Sequence, residues 1–217
     1  MSGGHAPVPA RAVVTGRRTG SFTGHHPSRK MKALVAFESL LEADALTLLE
    51  VDVAVVSYET QPLTLRWRDG AMRRRRYTPD LLVTTGHGLT YREVKPGRRY
   101  LRDPSLGGRR DRIEAECAAL GANFEVWTDA DIRREPRLSN ARAILAEGRR
   151  VGDTWAEARA RVLLPACATI EELARAAGLP PSRALRAVMR LAALGEAGID
   201  VEAPLGPATR IQGGRGR

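Results

Sequence analysis

The amino-acid sequence predicts a mixed α/β domain followed by a smaller, mainly helical domain. A helical apolar repeat begins at Ala36 and is followed by short alternating runs that are typical of strands. After Pro96, residues 97–99 are predicted to form a loop, followed by a second helix at residues 111–120 and a further strand at residues 123–128. Helix, antiparallel strands, helix and strand in this order favour one mixed sheet flanked by helices. Helical patterns dominate after residue 137.

The composition narrows the classes of partner. Lys and Arg number 35 against 25 Asp and Glu, for a net charge of +10. Arginine dominates this excess, and its planar fork suits phosphate groups. Such charge indicates nucleic acid or an anionic membrane surface without choosing between them. No apolar run approaches the ~20 residues that span a bilayer, so we expect no membrane partner.

The N-terminus lacks the apolar core of a secretory signal. Cys117 and Cys167 are isolated in the sequence, which favours reduced cysteines and a cytoplasmic location. We divide the chain into a flexible basic arm (residues 1–33), an α/β domain (34–136), a helical domain (137–212) and a disordered tail (213–217). The arm is either a disordered tail or a segment that lies along DNA.

A predicted hairpin at residues 73–96 organises the α/β domain. Its strands flank a Gly-His-Gly turn, with Asp80 entering the first strand. Glu93 and Lys95 project from one face of the second strand while Val94 points into the core. If the strands pair around the turn, Asp80 comes close to Glu93. Two carboxylates suit a hard cation such as Mg²⁺, and a lysine beside them can steady a negatively charged transition state.

An upstream helix supplies a further carboxylate. Glu38 and Glu42 lie four residues apart and so share one helix face. A D…ExK triplet alone arises often by chance. The triplet with a helical glutamate, an aspartate that opens a strand after a proline, and an ExK pair among apolar neighbours resembles the PD-(D/E)XK nuclease superfamily.

Four separated motifs make the resemblance more specific. They are FESLLE at residues 37–42, SYETQP at 57–62, RYTPD at 76–80 and EVKP at 93–96. In order and spacing, residues 33–135 resemble the TnsA endonuclease family, whose members cut the 5′ strands of transposon ends while a partner transposase cuts the 3′ strands. The resemblance implies a restriction-endonuclease-like fold.

The resemblance also implies a site. The catalytic residues would be Glu42, Asp80, Glu93 and Lys95, and the metal ligands would be the three carboxylates with the Val94 carbonyl. They would hold one or two Mg²⁺ ions, for which Mn²⁺ can substitute. Gln61 and Glu38 are auxiliary candidates: Gln61 either orients a water or phosphate or only ends a strand, and Glu38 is the rival of Glu42 for the metal.

Residues 169–195 read as a helix-turn-helix, with Thr169 and Glu172 in a capping box and Ser182 capping the second helix. Residues 199–211 could add a wing, and the whole resembles the winged-helix domain that follows the nuclease domain in this family. The arginines of residues 73–76, and those of the second helix in this pair, could alternatively form a solvated surface. Arg183, Arg186 and Arg190 could also contact a partner protein. The candidate nucleic-acid-binding residues are Arg73, Arg74, Arg75, Arg76, Arg98, Arg99, Arg183, Arg186 and Arg190.

The sequence therefore predicts a metal-dependent DNA endonuclease that cuts 5′ strands at transposon ends. Its implied partners are double-stranded DNA, a partner transposase and an ATPase regulator, and its implied location is the bacterial cytoplasm, at the nucleoid when acting. Two alternatives remain: a free-standing nuclease of the same fold in defence or repair, and a catalytically silent DNA-binding regulatory protein.

Overall fold

A computed structural model describes residues 22–101 and 104–214, without the side chains of residues 101 and 104–108. Most of the expected basic arm and residues 215–217 of the expected tail lie outside these ranges. The chain divides into two compact units: the first holds the residues up to Leu46 and Ala54–Ile132, the second Thr47–Val53 and the residues from Arg133 onward. Within the described ranges, no helix is long and apolar enough to cross a membrane.

The first unit alternates short strands with helices. Its elements are β1 (Gly24–Ser28), β2 (Ala33–Phe37), α1 (Leu40–Val51, whose last turns belong to the second unit), β3 (Val55–Thr60), β4 (Leu65–Arg68), β5 (Arg74–Tyr77), β6 (Leu81–Thr85), β7 (Gly88–Val94), α2 (Gly97–Leu101), α3 (Pro104–Ala119), β8 (Ala122–Trp127) and α4 (Asp129–Ile132).

The main sheet has the strand order β3-β6-β7-β8. Its first three strands are antiparallel, and β8 joins β7 in parallel after the crossover through α3. Ile113 and Cys117 of α3 are fully buried in a cluster with Tyr91 of β7. The predicted fold class, a mixed sheet flanked by helices, is confirmed for this unit.

The register of β6 and β7 decides which polar side chains meet. Leu81 pairs with Arg92, and the pairing continues to Thr85 opposite Gly88 around the Gly86-His87 turn. Extending this register by one residue sets Asp80 opposite Glu93. Val94 is buried, as the two-residue period of a strand requires. The hairpin expected from the sequence is confirmed.

β4 and β5 form a separate two-stranded antiparallel ribbon. Its turn contains Asp69 and Gly70, as the sequence predicts. Leu65 and Trp67 are buried in the same apolar cluster as α3, so one face of the ribbon packs on the core.

Four local expectations are wrong. The helix does not begin at Ala36, because residues 33–37 form β2 and α1 starts at Leu40. Within the expected arm, Gly24–Ser28 forms β1, which pairs antiparallel with β2 and gains its backbone hydrogen bonds there. Gly97–Leu101 is a helix and not a loop. The N-cap of the second helix in the predicted helix-turn-helix is Pro180 and not Ser182.

The second unit is mainly helical. Thr169 caps the helix Ile170–Ala177 (α7) by accepting a hydrogen bond from the Glu172 backbone, and Gly178 ends that helix with a left-handed φ of 65°. Leu173, Val188 and Leu191 bury the facing sides of the two helices that follow the 3₁₀ turn. Its elements are α5 (Arg137–Glu147), α6 (Thr154–Leu163), a 3₁₀ turn (Leu164–Ala166), α7 (Ile170–Ala177), α8 (Pro181–Ala193), and the antiparallel pair β9 (Ala197–Ile199) and β10 (Ile211–Gly213).

Candidate active site

Asp80 sits at the entrance to β6, where the sheet register places it beside the end of β7. Its Oδ2 accepts a hydrogen bond from the Val94 backbone N–H at 2.7 Å. Its own carbonyl accepts one from the Gln61 backbone N–H at 2.8 Å. The carboxylate is therefore fixed by the strand that carries the ExK pair.

Glu93 is held from the ribbon. The Tyr77 hydroxyl donates a 2.6 Å hydrogen bond to Glu93 Oε2. The Tyr77 ring packs edge-on against Phe124, with centroids 6.0 Å apart. Burial, followed by the charge of Glu93, raises the pKa of Tyr77, so this hydroxyl stays a donor. The ring packing and the hydrogen bond together restrict where the carboxylate can point.

Glu42 lies in the first turn of α1 and takes part in capping that helix. Its Oε2 accepts from the Glu38 backbone N–H at 2.8 Å, and its Oε1 from Ser39 Oγ at 3.0 Å. The Glu42 backbone N–H donates in turn to Ser39 Oγ. This reciprocal pattern resembles a capping box and stabilises the start of α1. Glu38 contributes only its backbone to these contacts.

The three carboxylates influence one another electrostatically. Burial, then the charges of Glu93 and Glu42, raise the pKa of Asp80 well above its ordinary value. Burial also raises the pKa of Glu42, with smaller contributions from Glu38 and Glu93. Like charges gathered in a partly buried place disfavour ionisation. A cation placed among these carboxylates would offset their mutual repulsion.

The arrangement is nevertheless not a ready-made metal centre. Among the residues that the structure describes, no group of three or more His, Cys, Asp or Glu side chains is placed to hold a metal ion. Each of the three carboxylates is occupied by a different hydrogen-bond donor: Ser39, Tyr77 or the Val94 backbone. Chemically these carboxylate oxygens suit a hard divalent cation, and the Asp80 and Glu93 side chains already share a hydrogen bond.

Lys95 follows directly after β7. Its backbone N–H donates to the Trp127 carbonyl at 3.0 Å, which extends the parallel pairing of β7 and β8 by one bond. Alternation along the strand places Lys95 on the same side as Glu93 and opposite to Val94. The ExK pair is thus presented as the sequence predicts.

Gln61 is the unusual backbone position of the site. It is buried and has a positive φ of 48°, a conformation that costs free energy for a residue with a Cβ. Its backbone hydrogen bond to Asp80 joins the end of β3 to the start of β6. Strained backbone is retained where the surrounding structure enforces it, and functional sites are common among such places.

A cavity of about 470 Å³ opens beside Asp80. Gln61 and Tyr77 line it from the site, and Arg66 and Arg76 line it from the ribbon; Thr64, Thr78 and Arg109 complete the wall. One carboxylate and three arginines around the same cavity suit a phosphate group bridged to a cation.

The sequence profile of the family described as TnsA-like endonuclease N terminal matches residues 52–134. This part of the chain is similar to the TnsA-like endonuclease family. The resemblance to this family is confirmed over residues 52–134, which contain three of the four motifs; the first motif, at residues 37–42, precedes them. No curated protein matches the chain.

The TnsA-like region contains Gln61, Asp80, Glu93 and Lys95, whereas Glu38 and Glu42 precede it. Tyr77 belongs to the motif at residues 76–80, but the sequence assigns it no role. Its contact with Glu93 follows from the register of the ribbon, and a tyrosine three residues before the aspartate was the only signal of it.

The structure places the predicted nucleic-acid-binding arginines in different surroundings. Arg73 and Arg75 pair with Asp69, while Arg98 and Arg99 are exposed on α2. On α8 each arginine has an acidic partner in its own unit: Arg183 pairs with Asp153, Arg186 with Glu147, and Arg190 with Glu157.

Proposed function

We propose that the protein is a divalent-metal-dependent DNA endonuclease that hydrolyses phosphodiesters and cuts the 5′ strands at transposon ends as a transposase subunit. The observation that carries this proposal is the electrostatic interaction of Asp80 with Glu93, both in the TnsA-like region, and with Glu42, which precedes it. Buried like charges are costly unless a cation offsets them.

Glu42, Asp80 and Glu93, with the Val94 carbonyl, would hold the cation. Mg²⁺ is the ion we propose, with Mn²⁺ as a substitute, because all four donors are oxygens. A divalent cation supplies positive charge against the phosphate and makes a water molecule more acidic.

The other residues act on the substrate. Lys95 offsets the charge that develops on the phosphate oxygens or takes a proton from the attacking water. Gln61 holds the Asp80 backbone in place and orients a water or a phosphate. Glu38 anchors the Glu42 carboxylate through its backbone N–H.

We propose that the second unit is winged-helix-like and serves assembly with the partner transposase and an ATPase regulator. Two helices joined through Gly178 and followed by the β9–β10 pair support this proposal. The arginines of α8 are already paired with carboxylates, which leaves less charge for phosphate and favours a protein contact over a DNA contact.

Metal binding and cleavage by the full chain test the site. Added Mn²⁺ or Mg²⁺ should raise the melting temperature, since a ligand at 100 times its Kd stabilises the folded state by about 2.7 kcal/mol. Supercoiled plasmid should be nicked only with the metal present, and the partner transposase should be added where the chain alone is inactive. We expect Asp80→Asn to abolish both the melting shift and the nicking.

Asp80→Asn is also its own folding control. Asparagine keeps an oxygen that accepts from the Val94 backbone but removes one of the crowded charges, so the variant should melt no lower than the natural protein without metal. Lys95→Ala should retain the melting shift and lose about 10²-fold or more in nicking. Full nicking activity of the Asp80→Asn variant would contradict the assignment of Asp80 to the active site. Cutting that does not depend on a transposase would identify a free-standing nuclease.

A further inference from the structure

The β4–β5 ribbon has one apolar face and one arginine face. Leu65 and Trp67 of β4 are buried, and the residues between and after them are exposed. On β5 the exposed positions alternate in the same way. The exposed positions of both strands are all arginine, and we call this set the arginine face: Arg66, Arg68, Arg74 and Arg76.

The register sets these arginines directly opposite one another. Arg66 pairs with Arg76, and Arg68 pairs with Arg74. Like charges at directly opposed positions of an antiparallel pair are destabilising. In the described part of the chain, no carboxylate forms an ion pair with Arg66, Arg74 or Arg76. Arg68 donates to the Met72 carbonyl, which leaves its charge uncompensated.

The other two arginines of the run at residues 73–76, Arg73 and Arg75, differ from the arginine face because both pair with Asp69 in the turn. Its carboxylate pairs with Arg73 at 3.1 Å and with Arg75 at 2.8 Å. Hydrogen bonds from the Arg73 backbone, the Arg75 side chain and the Ala71 backbone lower the pKa of Asp69 to about 2. The run of four arginines therefore divides: Arg73 and Arg75 share the single carboxylate of Asp69 in the turn, and Arg74 and Arg76 belong to the arginine face.

The arginine face begins at the candidate active site. Arg66 and Arg76 line the cavity that contains Asp80. The second arginine pair lies two residues farther along the ribbon, about 7 Å away at ~3.4 Å per residue. This spacing is close to two nucleotide rises of a duplex at ~3.4 Å each.

We propose that the arginine face binds the sugar-phosphate backbone of duplex DNA next to the phosphodiester that is cut. The interaction is with phosphates and independent of base sequence. A two-stranded ribbon fits along a groove of the duplex, and phosphates supply the negative charge that the opposed arginines lack. This inference rests on the proposed nuclease function. As the DNA-binding residues of the ribbon, it replaces the run at residues 73–76 by the arginine face, which includes Arg66 and Arg68.

Binding of the full chain to a fluorescent duplex, followed by anisotropy in EDTA, tests the proposal without cleavage. The variants Arg66→Gln/Arg76→Gln and Arg68→Gln/Arg74→Gln each remove one opposed pair. We expect each to weaken binding about 10-fold or more. The slope of log K against log salt should fall in magnitude by about 1.8 for each pair, or ~0.9 per lost phosphate contact.

The matched variant Arg73→Gln/Arg75→Gln removes the same charge from the same run. It should weaken binding less than about 3-fold, with little change in the salt slope. Arg66→Lys/Arg76→Lys should keep most of the slope because it keeps the charge. Melting temperatures no lower than that of the natural protein exclude unfolding as the cause. Equal losses in the arginine-face and matched variants would overturn the proposal, because net charge would then explain both.

The plasmid assay separates this inference from the function on which it rests. If the natural protein nicks DNA with metal but both arginine-face variants bind and cut like it, the arginine face is wrong and the nuclease stands. If the arginine-face variants alone lose binding while the natural protein never cuts, the surface stands and the nuclease proposal falls.

Discussion

Tyr77 and Glu93 show how a single hydrogen bond can restrict a candidate metal ligand. The tyrosine comes from the ribbon and the glutamate from the main sheet, so the 2.6 Å bond joins the two-stranded ribbon to the four-stranded sheet. We therefore regard Tyr77 as a positioning residue: it acts through Glu93 rather than on the substrate.

Tyr77→Phe tests this role. Phenylalanine keeps the ring against Phe124 and removes only the donor. A hydrogen bond to a charged group contributes about 1.5–3 kcal/mol, so we expect a loss of up to that size in unfolding free energy. The Mn²⁺ concentration for half-maximal nicking should also rise, by about 10-fold. A purely structural tyrosine would lower stability and leave the metal dependence of nicking unchanged.

The sequence predicted some site contacts and missed others for physical reasons. The meeting of Asp80 with Glu93 follows from a strand period of two and a short turn, both of which are local. The Tyr77 contact depends on how the ribbon packs on the sheet. The positive φ of Gln61 depends on a hydrogen bond between the end of β3 and the start of β6. Neither leaves a periodic signal. The capping contacts of Glu42 were also unforeseen, because its carboxylate was considered only as a ligand.

At the level of the element, the ribbon combines two opposed like-charge pairs with a stable apolar face. If the arginine face serves DNA binding, it should lower the stability of the isolated protein. Arg76→Thr removes one charge opposite Arg66 and introduces a β-branched residue that favours strands. We expect the unfolding free energy to rise by about 0.2–1 kcal/mol, measured as a higher urea midpoint with an unchanged slope.

Arg75→Thr is the matched control for this change. It lies on the same strand but faces Trp67 and pairs with Asp69. Its replacement removes an attraction instead of a repulsion, so the urea midpoint should stay the same or fall. Equal midpoint shifts in the two variants would mean that β-propensity alone accounts for the gain.

The elements that the sequence missed lie where local pattern and tertiary pairing disagree. Gly24–Ser28 contains a glycine, two histidines and a proline and has no strand periodicity, yet it forms β1 by pairing with β2. Ala36 and Phe37 continue the apolar pattern of α1, which predicts a helix from Ala36, yet both residues belong to β2. By contrast, the turn at Asp69-Gly70 and the end of α3 at Gly121, with a φ of 72°, have strong local signals and were predicted correctly.

At the level of the whole molecule, the two compact units do not correspond to two continuous stretches of chain. The first turns of α1, with Glu42, belong to the first unit, and Thr47–Val53 belongs to the second. Leu48, Leu49 and Val51 are all buried, and Leu48 and Val51 line a cavity with Ile199 of the second unit. Sequence patterns along the chain give only continuous segments, so a division of one helix could not be predicted from them.

A fragment of residues 22–136 should therefore fold poorly, although it contains every predicted catalytic residue. It would leave the buried side chains Leu48 and Val51 without their partners, at a cost of about 1.5–3 kcal/mol each. That cost is large against a typical domain stability of about 5–15 kcal/mol. We expect low solubility and a broad urea transition, whereas residues 22–214 should unfold like the full chain. Leu48→Gln/Val51→Gln should make the short fragment more soluble, because it removes the apolar surface that causes association. A short fragment that unfolds as sharply as the full chain would show that the first unit needs nothing from the second.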